Sequence, residues 1–255
     1  MFGTNMSKKV NRITIWCRNC RGDKIHGTAF VPKKDGKYPL VIYSHGYGYN
    51  MSFIDSERLA ENGIAVYEFD FCGGSPYSKS DGRSTDMSVL TQAEDLDAVI
   101  EKLSEQSFVD NDRIYLSGGS QGGYVSILSG ERNKNMIQGM ILYCPALVIN
   151  DFEREYFQYR KIPDKFRFGN MMISRRYVDD AKASDVYMAM ERFDNPVLYY
   201  HGSNDELVPV RYAYEAEKHF PNINLTILPD AGHMLTFGYE DRLFKEMKDF
   251  ILKGE

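Results

Sequence analysis

Residues 113–123, RIYLSGGSQGG, form the stretch of sequence that decides the fold. The run RIYLSG (113–118) has the apolar character of a buried strand, and a helical segment begins at Gln121. Ser120 therefore lies on the turn between strand and helix, within a segment that fits the pattern G-x-S-x-G. The small residues of this pattern permit a sharp, strained turn that exposes the serine hydroxyl above the sheet. A bare G-x-S-x-G also arises by chance as a glycine-rich turn, but the strand–turn–helix setting favours a nucleophilic serine.

Strand-like and helical segments alternate on both sides of this turn. Strands are predicted at 12–16, 24–31, 39–44, 64–69, 113–118, 136–144, 196–202 and 225–229. Helices are predicted at 52–62, at 87–107, from Gln121 onward, at 209–219 and at 238–253. Because such alternation implies right-handed crossovers, we predict an α/β fold with a mostly parallel eight-stranded sheet and helices on both faces. The first two strands are the exception, since they resemble an antiparallel hairpin.

One segment interrupts the alternation. Residues 146–192 are rich in Tyr, Phe, Arg and Lys and show no clear strand pattern. Their position between two core strands predicts a small helical or irregular cap over the carboxyl edge of the sheet. We therefore expect residues 1–255 to form a single domain that carries this cap.

A serine hydroxyl becomes a good nucleophile only when a positioned imidazole accepts its proton. In folds with this kind of turn, the chain order is serine, then acid, then histidine. Among the five histidines, only His233, in the loop DAGHM (230–234), follows both Ser120 and a suitable acid. His45 and His201 also end strands, but we interpret both as structural.

The acid must accept a hydrogen bond from the second nitrogen of that imidazole. Asp205 is the first choice, because it lies in the turn HGSND (201–205) directly after a predicted core strand. Glu206 is adjacent but has a longer side chain, and Asp230 lies too close in sequence to His233. The alternative for Asp205 is that it only stabilises its turn.

Acyl transfer develops a negative oxygen, which preorganised backbone N–H groups stabilise. Gln121, the residue after the serine, is expected to supply one of these donors. The other donor is expected from the loop after the strand at 39–44, and we assign it to Tyr47. Glycines at 46 and 48 allow this backbone to approach a substrate closely. The alternative is that HGYGYN (45–50) is only a flexible loop.

Composition excludes several other classes of protein. The formal net charge of −5 at pH 7 does not favour binding to nucleic acid or to an anionic membrane. The N-terminal segment lacks the apolar core of a secretion signal and no run is long enough to span a membrane, so we expect a cytoplasmic protein. The pair Cys17 and Cys20 has neither the βαβ context of a redox motif nor a second pair of zinc ligands, and we expect no metal site.

Taken together, these motifs make the sequence similar to the α/β-hydrolase superfamily and, within it, to bacterial feruloyl (cinnamoyl) esterases. The resemblance covers roughly residues 12–253. It is carried by HGY (45–47), FDFCGGSPYSKSDG (69–82), GGSQGG (118–123), IPDKFRF (162–168), HGSNDELVP (201–209) and DAGHM (230–234). The resemblance implies the α/β-hydrolase fold for this chain.

By the same resemblance, such enzymes hydrolyse esters of hydroxycinnamic acids, such as ferulate, p-coumarate and caffeate. Their inserted segment forms a lid whose aromatic and polar side chains hold the phenolic ring. On that analogy, Tyr177 and also Asp151 are candidates to hydrogen-bond the ring hydroxyl. The alternative is that the aromatic residues only pack the lid onto the core. Tyr47 stands where these relatives are expected to have a phenylalanine, which changes the acyl pocket but leaves a backbone donor intact.

The resulting hypothesis is a serine esterase that forms an acyl-enzyme on Ser120 and needs no metal or organic cofactor. Its expected partner is a small-molecule ester substrate, with hydroxycinnamoyl esters as the first choice. The alternatives are a general short-chain carboxylesterase, a peptidase of the prolyl-oligopeptidase type and a non-catalytic binding module. The sequence leaves the oligomeric state open, with a homodimer among the options.

Overall fold

The computed structural model of the chain describes residues 9–50, 52–235 and 238–253. Strands in these residues are β1 (Val10–Arg18), β2 (Lys24–Pro32), β3 (Tyr38–Ser44), β4 (Ala65–Phe69), β5 (Val109–Gly119), β6 (Ile137–Tyr143), β7 (Lys165–Phe168), β8 (Met171–Ser174), β9 (Val197–Gly202) and β10 (Ile223–Leu228). The main sheet among the described residues has eight strands in the order β1-β2-β4-β3-β5-β6-β9-β10. Pairs β1–β2 and β2–β4 are antiparallel, and all other neighbours in this sheet are parallel. The predicted mostly parallel eight-stranded sheet is confirmed.

Helices follow most of the strands. They are α1 (Ser56–Glu61), α2 (Val89–Ser104), α3 (Gln121–Arg132), α4 (Arg175–Ala183), α5 (Val186–Arg192), α6 (Arg211–His219) and α7 (Glu240–Lys253). The helices predicted before β4 and β5 occur, but both begin later than predicted, because Asp55 and Ser88 act as N-caps. Asp55 accepts the backbone N–H of Arg58 at 3.0 Å, and Ser88 accepts that of Thr91 at 3.2 Å.

Side chains of the central strand β3 alternate between two hydrophobic clusters, one on each face of the sheet. Leu40 and Ile42 pack in the cluster that contains residues of α2, α3, α5 and α6. Val41 packs in the cluster that contains residues of α1 and α7. Successive side chains of a strand point to opposite faces, so a strand covered on both faces needs a continuous apolar run. Full burial of each such side chain contributes about 1.5–3 kcal/mol to the stability of the fold. The prediction that helices cover both faces of the sheet is confirmed.

The segment between β6 and β9, here called the cap, contains elements that the sequence did not indicate. After a 3₁₀ turn (Leu147–Asp151) and a π-helical turn (Glu153–Phe157), β7 and β8 pair as an antiparallel hairpin. The expectation of no strand in the cap was therefore wrong. A two-residue connection of Gly169 and Asn170 joins the hairpin strands, and Gly169 has φ +51°, which suits a tight hairpin turn. Glycine followed by asparagine between the two short strand-like runs KFRF and MMIS was the signal for this hairpin.

The carboxyl ends of the parallel strands lie at one edge of the sheet. Strand β3 ends at Ser44, β5 at Gly119, β9 at Gly202 and β10 at Leu228. The loops that follow these strands carry the residues predicted to be catalytic, so the topology alone brings them to one edge. None of the helices in the described parts of the chain combines the length and apolar character needed to cross a bilayer.

Candidate active site

Ser120 lies between β5 and α3 with an unusual backbone conformation. Its φ is 53° and its ψ is −122°, a combination that residues with a Cβ rarely adopt because of steric strain. The turn is held by backbone hydrogen bonds, since the Ser120 N–H donates to the Tyr143 carbonyl at 2.9 Å and its carbonyl accepts from Ala146 N–H at 2.9 Å. The strained serine is therefore fixed between the ends of two neighbouring strands.

The glycines beside Ser120 are required by close packing of backbone on backbone. A Cβ on Gly122 would lie 2.1 Å from the Ser44 carbonyl oxygen and 2.6 Å from that of His45. A Cβ on Gly118 would lie 2.5 Å from the Gly122 carbonyl oxygen. These distances are far below van der Waals contact, so the helix α3 can begin directly against strand β3 only with glycine at both positions.

His233 and Asp205 form a hydrogen-bonded pair. His233 Nδ1 lies 2.7 Å from Asp205 Oδ2. The second carboxylate oxygen, Oδ1, accepts the backbone N–H groups of Leu207 at 2.9 Å and Val208 at 2.8 Å. Burial raises the pKa of Asp205, but the hydrogen bonds from His233 and Val208 outweigh it and hold that pKa below its ordinary value. Asp205 is therefore ionised and orients His233 with Nδ1 as the hydrogen-bond donor.

His201 supports the turn that carries Asp205. Its Nε2 donates to the Val208 carbonyl at 2.8 Å and lies 3.5 Å from Asp205 Oδ2. Burial lowers the pKa of His201, although the hydrogen bond to Val208 and the charge of Asp205 act in the opposite direction. The ring is therefore neutral at pH 7 and packs against Asp205.

Cys144, His201 and Asp205 are buried side chains whose ligand atoms lie within 4.8 Å of one another in the described structure. Burial raises the pKa of the Cys144 thiol well above its ordinary value, and the charge of Asp205 raises it further. A metal would need the thiolate. Both Asp205 oxygens and His201 Nε2 also have protein partners, and only His201 Nδ1 has no hydrogen-bond partner in the described structure. A thiol that stays protonated and a carboxylate that is already paired do not suit a metal ion.

The loop after β3, which carries Tyr47, runs close to Ser120. A Cβ on Gly46 would lie 3.3 Å from the Cβ of Ser120, so this loop passes directly beside the serine. Within the described residues, the amide N–H groups of Tyr47 and Gln121 donate to no backbone carbonyl. Both predicted oxyanion donors therefore line the same cavity as Ser120 and have no backbone acceptor among the described residues.

His45 anchors this loop at its start. Its Nε2 accepts the backbone N–H of Phe71 at 3.1 Å, and its Nδ1 lies 2.7 Å from the Gly46 carbonyl oxygen. These partners assign the proton to Nδ1. Burial lowers the pKa of His45, and the hydrogen bond to Gly46 offsets this only in part. A neutral imidazole thus holds the backbone that leads to Tyr47.

A cavity of about 570 Å³ opens above Ser120. Ser120 and His233 both line it, together with Tyr47 and Gln121, whereas Asp205 lies behind His233 and is 5% exposed. The wall is largely apolar. Its aromatic members are Tyr47, Tyr49, Phe53, Phe152, Phe168 and Tyr177, and its aliphatic members are Ala146, Val148, Ile149, Leu207, Val208 and Met234. The sequence did not single out Phe152 or Phe168, although the resemblance to feruloyl esterases implied that aromatic side chains of the inserted segment hold the substrate ring.

The two residues proposed to contact the substrate ring differ in location. Tyr177 lines the cavity, but its hydroxyl donates to the side-chain Oε1 of Gln121 at 2.6 Å. Asp151 is not among the described residues that line the cavity. It accepts a hydrogen bond from the Tyr212 hydroxyl at 2.7 Å and pairs with Arg154 at 3.0 Å. The structure therefore brings Tyr177 to the candidate site and directs Asp151 toward helix α6.

Comparison with known proteins identifies the family. The family model described as "Serine aminopeptidase, S33" matches residues 37–167, and one described as "alpha/beta hydrolase fold" matches residues 152–238. An uncharacterized 31.7 kDa protein of Escherichia coli is 34% identical over 96 residues, 36% of this chain and 32% of that protein. Protein bem46 of Schizosaccharomyces pombe is 28% identical over 174 residues, 67% of this chain and 52% of that protein. The chain thus spans about a third to a half of the length of these relatives.

Solved structures extend the comparison to nearly the whole chain. Est1E from Butyrivibrio proteoclasticus, solved with ferulic acid bound, is 26% identical with a TM-score of 0.83, covering 93% of this chain and 98% of that one. Acetyl xylan esterase 1 from Thermoanaerobacterium sp. JW/SL YS485 is 18% identical with a TM-score of 0.72, covering 97% of this chain and 86% of that one, and supports the fold alone. The predicted fold and the resemblance to bacterial feruloyl esterases are confirmed, and the chain belongs to the α/β-hydrolase family described as serine aminopeptidase, S33.

Proposed function

We propose that this chain is a serine esterase in which Ser120 is the nucleophile, His233 the general base and Asp205 the residue that orients the base. One observation carries the proposal: the imidazole that shares a cavity with the strained Ser120 has its Nδ1 2.7 Å from a buried carboxylate. Such a pair leaves Nε2 free to accept the proton of a serine hydroxyl. Membership of a serine hydrolase family supports the same reading.

The proposed reaction proceeds in two halves. His233 accepts the proton of Ser120 as the serine oxygen bonds to the ester carbonyl carbon, and the carbonyl oxygen becomes negative. The C–O bond to the alcohol then breaks, and His233 returns the proton to the leaving oxygen. Water, deprotonated by the same imidazole, attacks the acyl-enzyme, and Ser120 leaves with the proton as the acid is released. The ionised Asp205 stabilises the imidazolium that forms in each half.

The negative oxygen of each tetrahedral intermediate is assigned to the backbone N–H groups of Tyr47 and Gln121. Both residues line the cavity beside Ser120. Gln121 is also the first residue of α3, where the helix dipole favours negative charge. Removing one such donor typically costs about 3–4 kcal/mol of transition-state stabilisation.

Hydroxycinnamoyl esters are the proposed substrates. Support comes from the aromatic side chains in the cavity wall, including Phe152 and Phe168, which would stack against a phenolic ring. Est1E, which is 26% identical over nearly the whole chain, binds ferulic acid in its solved structure. Tyr177 belongs to this proposed ring site through its aromatic face. The proposed role of Asp151 at the ring has no support from the cavity wall, because its carboxylate is already paired with Tyr212 and Arg154.

A substrate panel tests the proposal. The purified chain should hydrolyse ethyl ferulate and ethyl p-coumarate with a kcat/KM well above that for p-nitrophenyl butyrate. Ser120→Ala should abolish these activities and also labelling by a fluorophosphonate probe, which forms a bond to an activated serine. Labelling that persists in Ser120→Ala would assign the nucleophile elsewhere and overturn the site.

A general short-chain carboxylesterase is the second candidate, and it predicts the reverse order of rates on this panel. The matching family model is described as an aminopeptidase, so aminoacyl p-nitroanilides are added to the substrate panel as a third class of substrate. Cleavage of these anilides faster than of any ester would replace the esterase proposal by a peptidase.

A further inference from the structure

We propose that Tyr177 of the cap is a positioning residue that orients Gln121, the proposed oxyanion donor, through the Gln121 side chain. This inference rests on the proposed function, because it concerns how the oxyanion donor is held. It assigns the Tyr177 hydroxyl a role different from binding the ring hydroxyl of a substrate.

The side-chain amide of Gln121 is held at both ends. The Tyr177 hydroxyl donates to Oε1 at 2.6 Å, and the amide Nε2 donates to Oε1 of Gln92 at 2.6 Å. All three residues are at most 1% exposed. A buried polar group that loses its hydrogen-bond partner is costly. The three side chains therefore form one connected network, and Gln121 Nε2 also contacts Met87 Sδ at 3.7 Å.

The network joins three separate elements of the fold. Tyr177 lies in α4 of the cap, Gln92 lies in α2, and Gln121 is the first residue of α3. The Gln121 backbone N–H is one of the donors proposed to face the developing oxyanion. Because the side chain is clamped from the cap and from α2, the direction of the peptide N–H is coupled to the position of the cap.

The cap also contacts the other proposed donor. Ring centroids of Tyr47 and Tyr177 lie 6.2 Å apart in an edge-to-face arrangement, and the Tyr47 hydroxyl donates to the Phe168 carbonyl at 2.8 Å. The amide of Asn170 donates to the Gly48 carbonyl at 2.8 Å. The cap therefore holds both sides of the proposed oxyanion hole, and Tyr177 contacts both Gln121 and Tyr47.

Steady-state kinetics of Tyr177→Phe tests this inference, because the variant removes only the hydroxyl. We expect kcat to fall about 5- to 20-fold with KM changed less than two-fold, on p-nitrophenyl acetate and on ethyl ferulate alike. This loss is smaller than the roughly 100-fold expected when an oxyanion donor is removed outright. The rate of inactivation by a fluorophosphonate should fall by a similar factor, since its transition state uses the same donors.

A double-mutant comparison separates positioning from substrate contact. Gln121→Ala keeps the backbone N–H but removes the side chain, so adding Tyr177→Phe to it should change kcat less than two-fold. Gln92→Met changes a residue outside the cavity wall and should also lower kcat. It serves as the second variant if Tyr177→Phe folds poorly. Thermal unfolding of each variant verifies that the folded protein is being assayed.

Tyr124→Phe is the matched control. Its hydroxyl is equally buried on α3 and contacts Asn150 at 2.6 Å and Ser184 at 2.7 Å, but not Gln121. The positioning role would be overturned by an equal loss of kcat in Tyr124→Phe or by no loss in Tyr177→Phe. It would also be overturned if Tyr177→Phe changed only KM, and only for esters with a ring hydroxyl. A wild-type chain inactive on every ester would overturn the proposed function and this inference together, whereas active wild type with unaffected Tyr177→Phe would overturn this inference alone.

Discussion

Nδ1 of His233 lies 2.7 Å from Oδ2 of Asp205, although the two residues are 28 positions apart in the sequence. The contact exists because β9 and β10 are parallel neighbours, so the loops after them emerge side by side. Asp205 is further held by the N–H groups of Leu207 and Val208. The orientation of His233 is therefore set by a carboxylate that has little freedom to move.

Replacement of this carboxylate should disable the proposed catalysis. In Asp205→Asn, the amide can no longer stabilise an imidazolium and favours the wrong tautomer of His233, so kcat should fall by about 10⁴-fold. Asp230→Asn is the matched control, because Asp230 is exposed, lies three residues before His233 and has φ +59°, which asparagine tolerates. Initial rates on p-nitrophenyl acetate measure both. Comparable loss in Asp230→Asn would reassign the acid.

Stability should decrease in mild acid because of the two buried neutral histidines. The pKa values of His45 and His201 are lowered by burial in the folded chain, so below about pH 6.5 the unfolded state binds protons that the folded state does not. The free energy of unfolding therefore decreases as the pH is lowered below this value, by up to about 1.4 kcal/mol per pH unit for each histidine. Above that pH neither state is protonated at these sites, and their contribution is fully present.

The contribution of His45 can be isolated with His45→Gln, in which an amide oxygen can still accept the Phe71 N–H. Urea unfolding followed by circular dichroism should show that the variant loses up to about 1 kcal/mol less than wild type between pH 7 and pH 5.5. Between pH 7.5 and 8.5 the two proteins should change in parallel. Parallel losses in the acid range as well would show that His45 does not titrate differently in the two states.

Gly122→Ala should disrupt the turn at Ser120. The added Cβ would meet the Ser44 carbonyl oxygen at 2.1 Å, and backbone cannot yield as a side chain does. We expect a loss of at least about 2 kcal/mol of stability and a loss of most activity. Gly130→Ala, on the same helix, is the control. Its Cβ would approach the flexible Met140 Sδ at 2.9 Å, so its change in thermal stability should stay within about 1 kcal/mol.

Asn170→Ala should loosen the contact between the cap hairpin and the loop after β3. Its side-chain amide donates to the Gly48 carbonyl at 2.8 Å, one residue beyond the proposed donor Tyr47. We expect kcat/KM on p-nitrophenyl acetate to fall about 3- to 10-fold as the loop gains freedom. Asn195→Ala removes a similar amide, bonded to the Lys134 and Ile137 carbonyls far from the cavity. That control should affect the melting temperature and leave kcat/KM unchanged at assay temperature.

The alternation of strands and helices in the main sheet and the sharp turn at Ser120 followed from the sequence because each depends on local pattern, whereas the order of the strands came only from the structure. Apolar runs such as 39–44 and 113–118 indicate strands that are buried on both faces. The glycines beside Ser120 indicate a turn that has no room for larger side chains. Helix starts were less accurate, since a single N-cap such as Ser88 decides them. The hairpin at Gly169 and Asn170 was missed because its strands are only four residues long.

The sequence by itself determined the α/β-hydrolase fold and narrowed the candidate residues to Ser120, Asp205 and His233, because chain order and periodicity carry that information. Tertiary structure alone decided which partner each polar side chain takes. It directs Asp151 to Tyr212 and Arg154, and it clamps Gln121 from the cap. Such pairings join residues up to 61 positions apart and depend on how packed elements meet, which no local pattern of residues encodes.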